Sequence, residues 1–511
     1  MLEREIKLFI PAPHRANLLQ YVQQFSQTQS IELAAQYYDT PQRCLAQRYA
    51  ALRLRREGQQ WVQTLKMRGT DELSHLEYNH PRPEPSLDLQ VYQNTPAATL
   101  FAQLAAPLEM RYETHVQRTL IEIRQNQTLI EIALDNGEIR AKQNTLPIHE
   151  VEFELKQGEM AEVFALAEAW LVRFHLLLEL RTKSERGDAL YEYAIKHPVA
   201  LSGQDAALAL ALAAQPYRLP SGFKPETMDV PSLYYQGASL FLSQVIRNAA
   251  FLAGVDDMQA PPQQQASYLT LMRVGMRRLR SCRQLFKPWL TTAEVGLTQQ
   301  LRKHYKAFGQ WRDKDMLWLE LQPKLIAAGL PAAKKLDRPN SKTTSALELA
   351  ASTPYQKLLL QQLRHFVLQQ SLLAPAQQHP AALAILIQRL QQLWQRIQHQ
   401  SHDFLHLNPS AQHDLRNQIK RLRYNLELFG YSNEHPFYAT LAKAQDHLGD
   451  LCDAYVAYDW YTQNAMNKAQ KQFAQTWLKQ KIQKSLRKSQ NTLVRLDHQR
   501  ATLSLEELIP Q

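Results

Sequence analysis

Glu3, Glu5 and Lys7 stand two residues apart, and side chains two apart on an extended strand share a face. The same even spacing groups Arg53 with Arg55, Thr64 with Lys66, Glu131 with Asp135 four residues on, and Glu150 with Glu152 and Glu154. A solvated sheet face mixes charge with Thr, Ser and Gln. Here carboxylates cluster on some segments and Arg or Lys on others. If the sheet closes, these faces share one lumen. Opposite unit charges at about 4 Å attract by roughly 4 kcal/mol at an effective dielectric near 20, and like charges repel equally. Such a lumen is relieved when divalent cations bridge the carboxylates and phosphoryl oxygens satisfy the cations. Carboxylates without a supporting His or Cys favour Mg²⁺ or Mn²⁺ over zinc. No G-x-x-x-x-G-K occurs, so phosphates must be held by side chains. No Ser-His-Asp or Cys-His arrangement presents itself, and His14 and His75 are expected to be surface or packing residues.

A second basic set lies in the other half. Arg273, Arg277 and Arg280 are spaced four then three, and Arg416, Lys420 and Arg423 repeat that spacing. Thr270 and His413 precede the two sets, and Met272, Met276, Leu279 and Phe286 keep the same offset from Leu415, Ile419, Leu422 and Phe429. Each segment is thus a helix with an apolar stripe beside a basic one. Gly309 with Asp313 is echoed by Gly449 with Asp453, so the unit is duplicated. Basic groups on one helical line suit an extended polyanion held in a salt-sensitive way. No aromatic platform or base-reading motif accompanies them, which argues against nucleic acid.

The elements that position these residues follow from periodicity. Period-two alternation predicts strands at Leu2–Ile10, Ala50–Glu57, Trp61–Arg68, His115–Arg124, Thr128–Asp135 and His149–Lys156. Asp135-Asn136-Gly137 reads as a turn, and helices are expected at about Pro13–Ser26 and Glu159–His175. Residues 198–231 are Ala-rich, then rich in Pro, Gly and Ser, as in a linker. Residues 232–500 read as helical with a polar loop at Lys334–Ser345. The expectation is a multidomain chain: α+β over 1–197, a linker over 198–231, and an all-α region over 232–500 with two repeated helical bundles.

Motif order carries a resemblance. Glu3-x-Glu5-x-Lys7, Tyr38-Asp39-Thr40, Leu52-Arg53-Leu54-Arg55, Thr64-x-Lys66, Ile130–Gly137, Glu150-x-Glu152 and Lys183-Ser184-Glu185-Arg186-Gly187 resemble CYTH domains, the triphosphate tunnel metalloenzymes. That resemblance implies a closed eight-stranded antiparallel β tunnel. It implies that Glu3, Glu5, Glu150 and Glu152 hold the catalytic metal, with Glu154 sharing their face. Glu77, Glu131 and Asp135 would serve a second metal or orient water, and Lys7, Arg53, Arg55, Lys66, Arg118, Lys183 and Arg186 would clamp phosphates. The segment Arg273–Ser281, Phe308-Gly309-x-x-Arg312-Asp313-x-Asp315, His413–Tyr424 and Leu448-Gly449-x-x-x-Asp453 resemble CHAD domains. Polyphosphate would then bind Arg273, Arg277, Arg280, His413, Arg416, Lys420 and Arg423. Together they resemble bacterial inorganic triphosphatases, with Glu3, Glu5, Lys7, Glu131 and Asp135 as the catalytic set. Thiamine or nucleoside triphosphate hydrolysis and adenylyl cyclase chemistry use the same tunnel. A non-catalytic polyphosphate scaffold gains nothing from intact carboxylates.

Composition sets the outer bounds. The 511 residues carry a formal charge of +11 and three cysteines, far apart at Cys44, Cys282 and Cys452, which excludes a disulfide scaffold and an all-thiolate zinc site. Residues 1–197 hold 22 Lys+Arg against 26 Asp+Glu, leaving the excess of positive charge to the second half. The first residues lack a signal-peptide core, and the most apolar run, Ala206–Ala214, is too short to span a bilayer. A cytoplasmic location without a membrane partner is expected.

Overall fold

The computed structural model describes residues 2–69, 71–104, 106–197, 228–258, 261–331, 345–370, 380–465 and 467–501. The predicted linker at 198–231 lies outside them except at its last four residues, and the Lys334–Ser345 loop except at Ser345. The chain divides into two compact units. The first comprises Met1–Pro216, Ser243–Met272 and Ser345–Ser371; the second comprises Tyr217–Leu242, Arg273–Thr344 and Leu372–Gln511.

In the first unit, strands β1 (Leu2–Phe9), β2 (Gln29–Asp39), β3 (Ala50–Glu57), β4 (Gln60–Arg68), β5 (Ser74–Arg82), β6 (Glu109–Gln125), β7 (Thr128–Ala141) and β8 (Asn144–Gln157) form one antiparallel sheet. Its order is β5-β4-β3-β2-β6-β7-β8-β1, and β1 closes the ring. Leu2, Glu3 and Arg4 pair with β5, while Glu5–Phe9 pair with β8. The short β9 (Leu177–Leu178) adds to the far end of β1. This is a closed eight-stranded antiparallel barrel.

The alternation is inverted relative to a small packed barrel: charged groups point in and the apolar set points out. Ile6, Leu8, Ile132 and Phe153 are fully buried, and Trp170 of α3 (Met160–Phe174) is set edge-on to Phe153 at 5.4 Å. On the opposite wall Leu52 and Leu65 pack with Leu45, Tyr92 and Leu100. Fully burying each Leu or Ile contributes about 1.5–3 kcal/mol, so the barrel's stability comes from its outer skin. Between β1 and β2 lies α1 (Arg15–Val22), and α2 (Ala98–Ala102) precedes β6.

The predicted turn at Asp135-Asn136-Gly137 is not one. β7 runs straight through it, with Asp135 opposite Arg118 and Gly137 opposite Val116. A Cβ at Gly137 would lie 2.0 Å from the His115 carbonyl oxygen, so glycine serves close strand approach there. The real hairpin turns place Asn126 and Lys142 at φ 54°.

After the barrel come α4 (Lys183–Lys196), α5 (Val230–Ala253), α6 (Pro262–Leu285) and α7 (Thr292–Asp315), which runs into a π-helical turn, Met316–Leu321. Then follow α8 (Gln322–Ala327), α9 (Ala346–Ala351), α10 (Thr353–Gln370), α11 (Pro380–His402), α12 (Pro409–Glu427), α13 (Pro436–Asn464) and α14 (Lys468–Ala501). α10 belongs to the first unit: Lys357 pairs with Glu168 of α3 at 2.9 Å, and the Gln356 side chain accepts from the Leu178 amide.

The helical repeat is physical as well as sequential. Arg273 of α6 donates to the Gly309 carbonyl of α7 at 3.2 Å, and the Arg416 guanidinium of α12 packs over Gly449 of α13. In each copy the glycine leaves room for the first arginine of the stripe. The two stripe helices meet where Arg278 pairs with Glu427 at 2.7 Å. A core of Met316, Leu317, Leu321 and Leu325 with Tyr461 and Leu478 completes this region.

Candidate active site: a charged tunnel

Closure brings most of the sequence-selected charges into one cavity. Glu3, Glu5 and Lys7 from β1, Arg53 and Arg55 from β3, Lys66 from β4, Arg118 from β6, Asp135 from β7, Glu152 from β8 and Lys183 from α4 all line it. Lys183 reaches in because Thr182 caps α4, its hydroxyl accepting from the Glu185 amide. The cavity has a volume of about 80 Å³. Across it, carboxylates and cations are joined in ion pairs.

On one side, Lys66 bridges Glu3 and Glu5, the latter at 3.3 Å. On the other, Arg118 donates to Asp135 at 2.6–2.7 Å and to Glu152 at 2.6 Å. Lys183 touches Asp135, Glu150 and Glu152 at 2.6, 2.5 and 2.8 Å. Arg186 holds Glu150 from behind at 2.5 Å.

Burial opposes ionisation of Glu152, yet Lys183, Arg118 and Lys7 hold its carboxyl well below the usual range. Asp135 is likewise kept low against burial by Arg118 and Lys183. Glu5 goes the other way: burial raises it, and Glu152 and Glu3 add to the rise against Lys66. Burial disfavours charge on Lys66 and Lys183, but surrounding carboxylates raise both above an ordinary lysine.

Glu77, Glu131, Glu150 and Glu154 do not line the cavity itself. Glu77 is 3.6 Å from Arg53. Glu131 and Glu154 share Lys156 at 3.2 and 2.9 Å, and burial pushes Glu154 up to about 7. Glu150 lies beneath Lys183 and is fully buried.

Among the described residues, two groups are close enough to share an ion, with ligand atoms within 4.8 Å of one another: Asp135 with Glu150 and Glu152, and Glu3 with Glu5 and His75. His75, expected from the sequence only to pack, lies directly opposite Glu3 in the β1–β5 ladder. Burial with Lys66 nearby lowers it to about 3, which leaves a neutral imidazole. Sequence spacing misses it because that pairing is non-local. Tyr37 is also new: its hydroxyl lies 3.5 Å from Arg53, whose charge lowers the phenol against burial. It stacks on Tyr112 with centroids 4.8 Å apart.

On the helical repeat, Arg273 and Arg280 lie over Tyr305 at 4.7 and 5.1 Å. Burial, then Arg302 and Arg277, holds Arg280 below an ordinary guanidinium; burial, then Arg396 and Arg280, does the same to Arg421. His413 is exposed, Lys420 is buried, and Arg423 is 3.6 Å from Glu427. The side chains of Arg312, Asp313 and Asp315 lie outside the described residues.

A closed antiparallel barrel lined by segregated carboxylates and cations is the architecture of the CYTH domain, and residues 1–187 match that family; residues 249–462 match the CHAD domain. The barrel half of the chain is thus similar to CYTH domains and the helical half to CHAD domains. Over 193 residues the chain is 34% identical to an inorganic triphosphatase of Haemophilus influenzae. That similarity covers 36% of this chain and 54% of the relative, so the chain spans about half the length of the curated relative it matches. Among solved structures, the CHAD domain from Ricinus communis is 23% identical, covers 55% of this chain and 96% of its own, and has a TM-score of 0.43. A Hippeastrum protein described as an adenylyl cyclase that reveals a dominant triphosphatase activity is 18% identical, with 37% and 96% covered and a TM-score of 0.27. No helix among the described residues is long and apolar enough to cross a membrane.

Proposed function

We propose that this chain hydrolyses inorganic triphosphate to diphosphate and phosphate in its tunnel, with Mg²⁺ or Mn²⁺, and that its helical repeat binds polyphosphate; we place it in the cytoplasm. The observation that carries the reading is Lys183, one ammonium shared by Asp135, Glu150 and Glu152 inside a closed ring. Such a cation can leave one carboxylate for a phosphoryl oxygen without losing all its partners. The Haemophilus influenzae relative supports triphosphate as substrate.

The two carboxylate groups fit a hard divalent ion, and His75 beside Glu3 and Glu5 also suits Mn²⁺. A divalent ion held there supplies charge that draws triphosphate oxygens towards the carboxylates. Arg53, Arg55, Lys66, Arg118 and Lys183 bind the phosphoryl oxygens and stabilise the charge that gathers on them during transfer. Lys7 lines the same wall. Asp135 keeps its charge beside Arg118 and Lys183, which makes it an acceptor that orients water rather than one that retains the proton. The Tyr37 hydroxyl adds a donor beside Arg53.

The test is phosphate release from triphosphate, ATP, thiamine triphosphate and long polyphosphate, each with Mg²⁺ and with Mn²⁺. Triphosphate is expected to turn over with the highest kcat/KM. Absence of metal-dependent release from triphosphate overturns the reading, and preferred release from ATP or thiamine triphosphate replaces its substrate.

A further inference from the structure

The turn after α5 does something local chain energetics disfavour. Gly254, Asp256 and Asp257 adopt φ of 90°, 60° and 56°, so two consecutive non-glycine residues are left-handed. Asp and Asn tolerate that region best among side-chain-bearing residues, and such conformations persist only where the surroundings over-determine them. The surroundings here are two arginines. Asp256 is 2% exposed; its Oδ2 accepts from Arg181 at 2.7 Å and its Oδ1 from Arg186 at 3.0 Å.

Both arginines lead to the tunnel. Arg186 donates to Glu150, which holds Lys183, the ammonium at the centre of the acidic group. Arg181 grips Glu179, whose backbone amide donates to the Lys7 carbonyl at 3.2 Å. Asp256 belongs to the stretch matched as CHAD, yet it lies in the barrel's own compact unit.

We propose that Asp256 is a positioning residue of the tunnel: through Arg186 and Glu150 it sets where Lys183 stands, so the turn after α5, inside the stretch matched as CHAD, is a working part of the triphosphate site. The inference rests on the proposed hydrolysis. With Asp256 neutral, Arg186 has Glu150 as its principal anion and draws that carboxylate away from Lys183. Lys183 then follows Asp135 and Glu152 and is displaced from the phosphate it would meet.

The test uses the full chain with Asp256→Asn, because Asn keeps the left-handed backbone and removes the charge. KM for triphosphate is expected to rise about tenfold, with kcat within about twofold, in the range typical of lost orienting partners. A merely structural role lowers the active fraction instead, giving lower kcat at unchanged KM, and that result overturns the proposal. So does wild-type KM in a folded Asp256→Asn protein. Asp257→Asn is the control: it shares the left-handed turn but pairs with Arg15, and KM is expected to stay at the wild-type value. An equal rise in that control assigns the effect to the turn at large and removes Asp256 from the role. If Asp256→Asn fails to fold, Asp256→Glu decides: the longer arm should raise KM about two- to threefold, and an unchanged KM overturns the idea. A wild-type protein with no triphosphate turnover refutes the hydrolase reading itself, whereas an active wild type beside an indifferent Asp256→Asn refutes only this inference.

Discussion

The tunnel and the helical stripe are both rich in basic side chains, but they handle charge in opposite ways. In the tunnel Lys66, Arg118 and Lys183 each touch two or three carboxylates. Arg280 of the stripe and Arg421 beside it are each crowded by neighbouring guanidinium groups, with Tyr305 against Arg280, while Arg423 at the stripe's end lies 3.6 Å from Glu427. A paired cation meets an anion by exchanging partners, which gives fixed geometry and modest net attraction. A cation crowded by cations gains from any polyanion, with little demand on geometry. The first arrangement suits chemistry on a short substrate, and the second suits holding a long one.

The sharpest way to break this contrast is to remove a carboxylate from the paired side. Glu5→Gln is expected to lower metal-dependent triphosphate turnover by roughly three orders of magnitude, the scale of losing one preorganised charge at a reacting centre. Phosphate release at saturating metal checks it, with polyphosphate binding unchanged in the same sample.

The reverse experiment replaces Arg416, Lys420 and Arg423 together with Ala. Polyphosphate affinity should fall, and the slope of log K against log salt should flatten by about two, as for three lost contacts to a single-stranded polyanion. Triphosphate KM and kcat should stay within about twofold. Equal damage to both activities would mean that the two regions do not divide the work.

Acid separates the regions further, because the stripe is largely arginine while the tunnel unit is built on shifted carboxylates. Burial opposes ionisation of Glu179, but Arg181 holds it at about 2 against an ordinary 4.5. A depressed group contributes stability above its unfolded pKa and loses it as pH falls through its folded one. Glu179 thus contributes about 3 kcal/mol that disappears between pH 4.5 and about 2. Glu154, raised to about 7 by burial, has the opposite sign and relieves the fold as pH drops from 7 towards 4.5. His75, lowered to about 3, loses stability as pH falls from 6.5 and offsets the relief from Glu154, so in chelator the barrel's thermal midpoint should be highest between about pH 4.5 and 7 and drop steeply below that window. A midpoint that climbs steadily up to pH 8 would contradict these assignments.

The smallest effect concerns His75. Exchange for Gln keeps a polar group beside Glu3 and Glu5 but removes the imidazole. Turnover with Mn²⁺ relative to Mg²⁺ should fall by about threefold, since nitrogen ligation favours the softer ion. An unchanged ratio leaves His75 as a packing residue.

Much of the molecule is legible in the chain, and what is not has specific reasons. β1, β3, β4 and β8 alternate cleanly, so periodicity alone groups their inward charges. β2 (QSIELAAQYYD) and β5 (SHLEYNHPR) escape that reading because their outward positions are only half-buried or carry polar groups. Asp135-Asn136-Gly137 has the composition of a hairpin turn, but pairing on both sides, to β6 and β8, overrides that local signal. The repeat is visible because the glycine that admits each arginine is itself repeated. His75 and Asp256 are invisible for a shared reason: each acts on a residue about 70 positions away, and neither carries a local pattern that points there.

Ring closure by β1 has a consequence for the newborn chain. Glu5 waits for Glu154, about 150 residues later in synthesis, before its edge is covered. An exposed strand edge in a folding intermediate recruits other strands, and charged residues along it discourage that. The Glu-x-Glu-x-Lys run supplies this protection during the interval, so the charges that later line the closed tunnel first guard an open edge against misassociation.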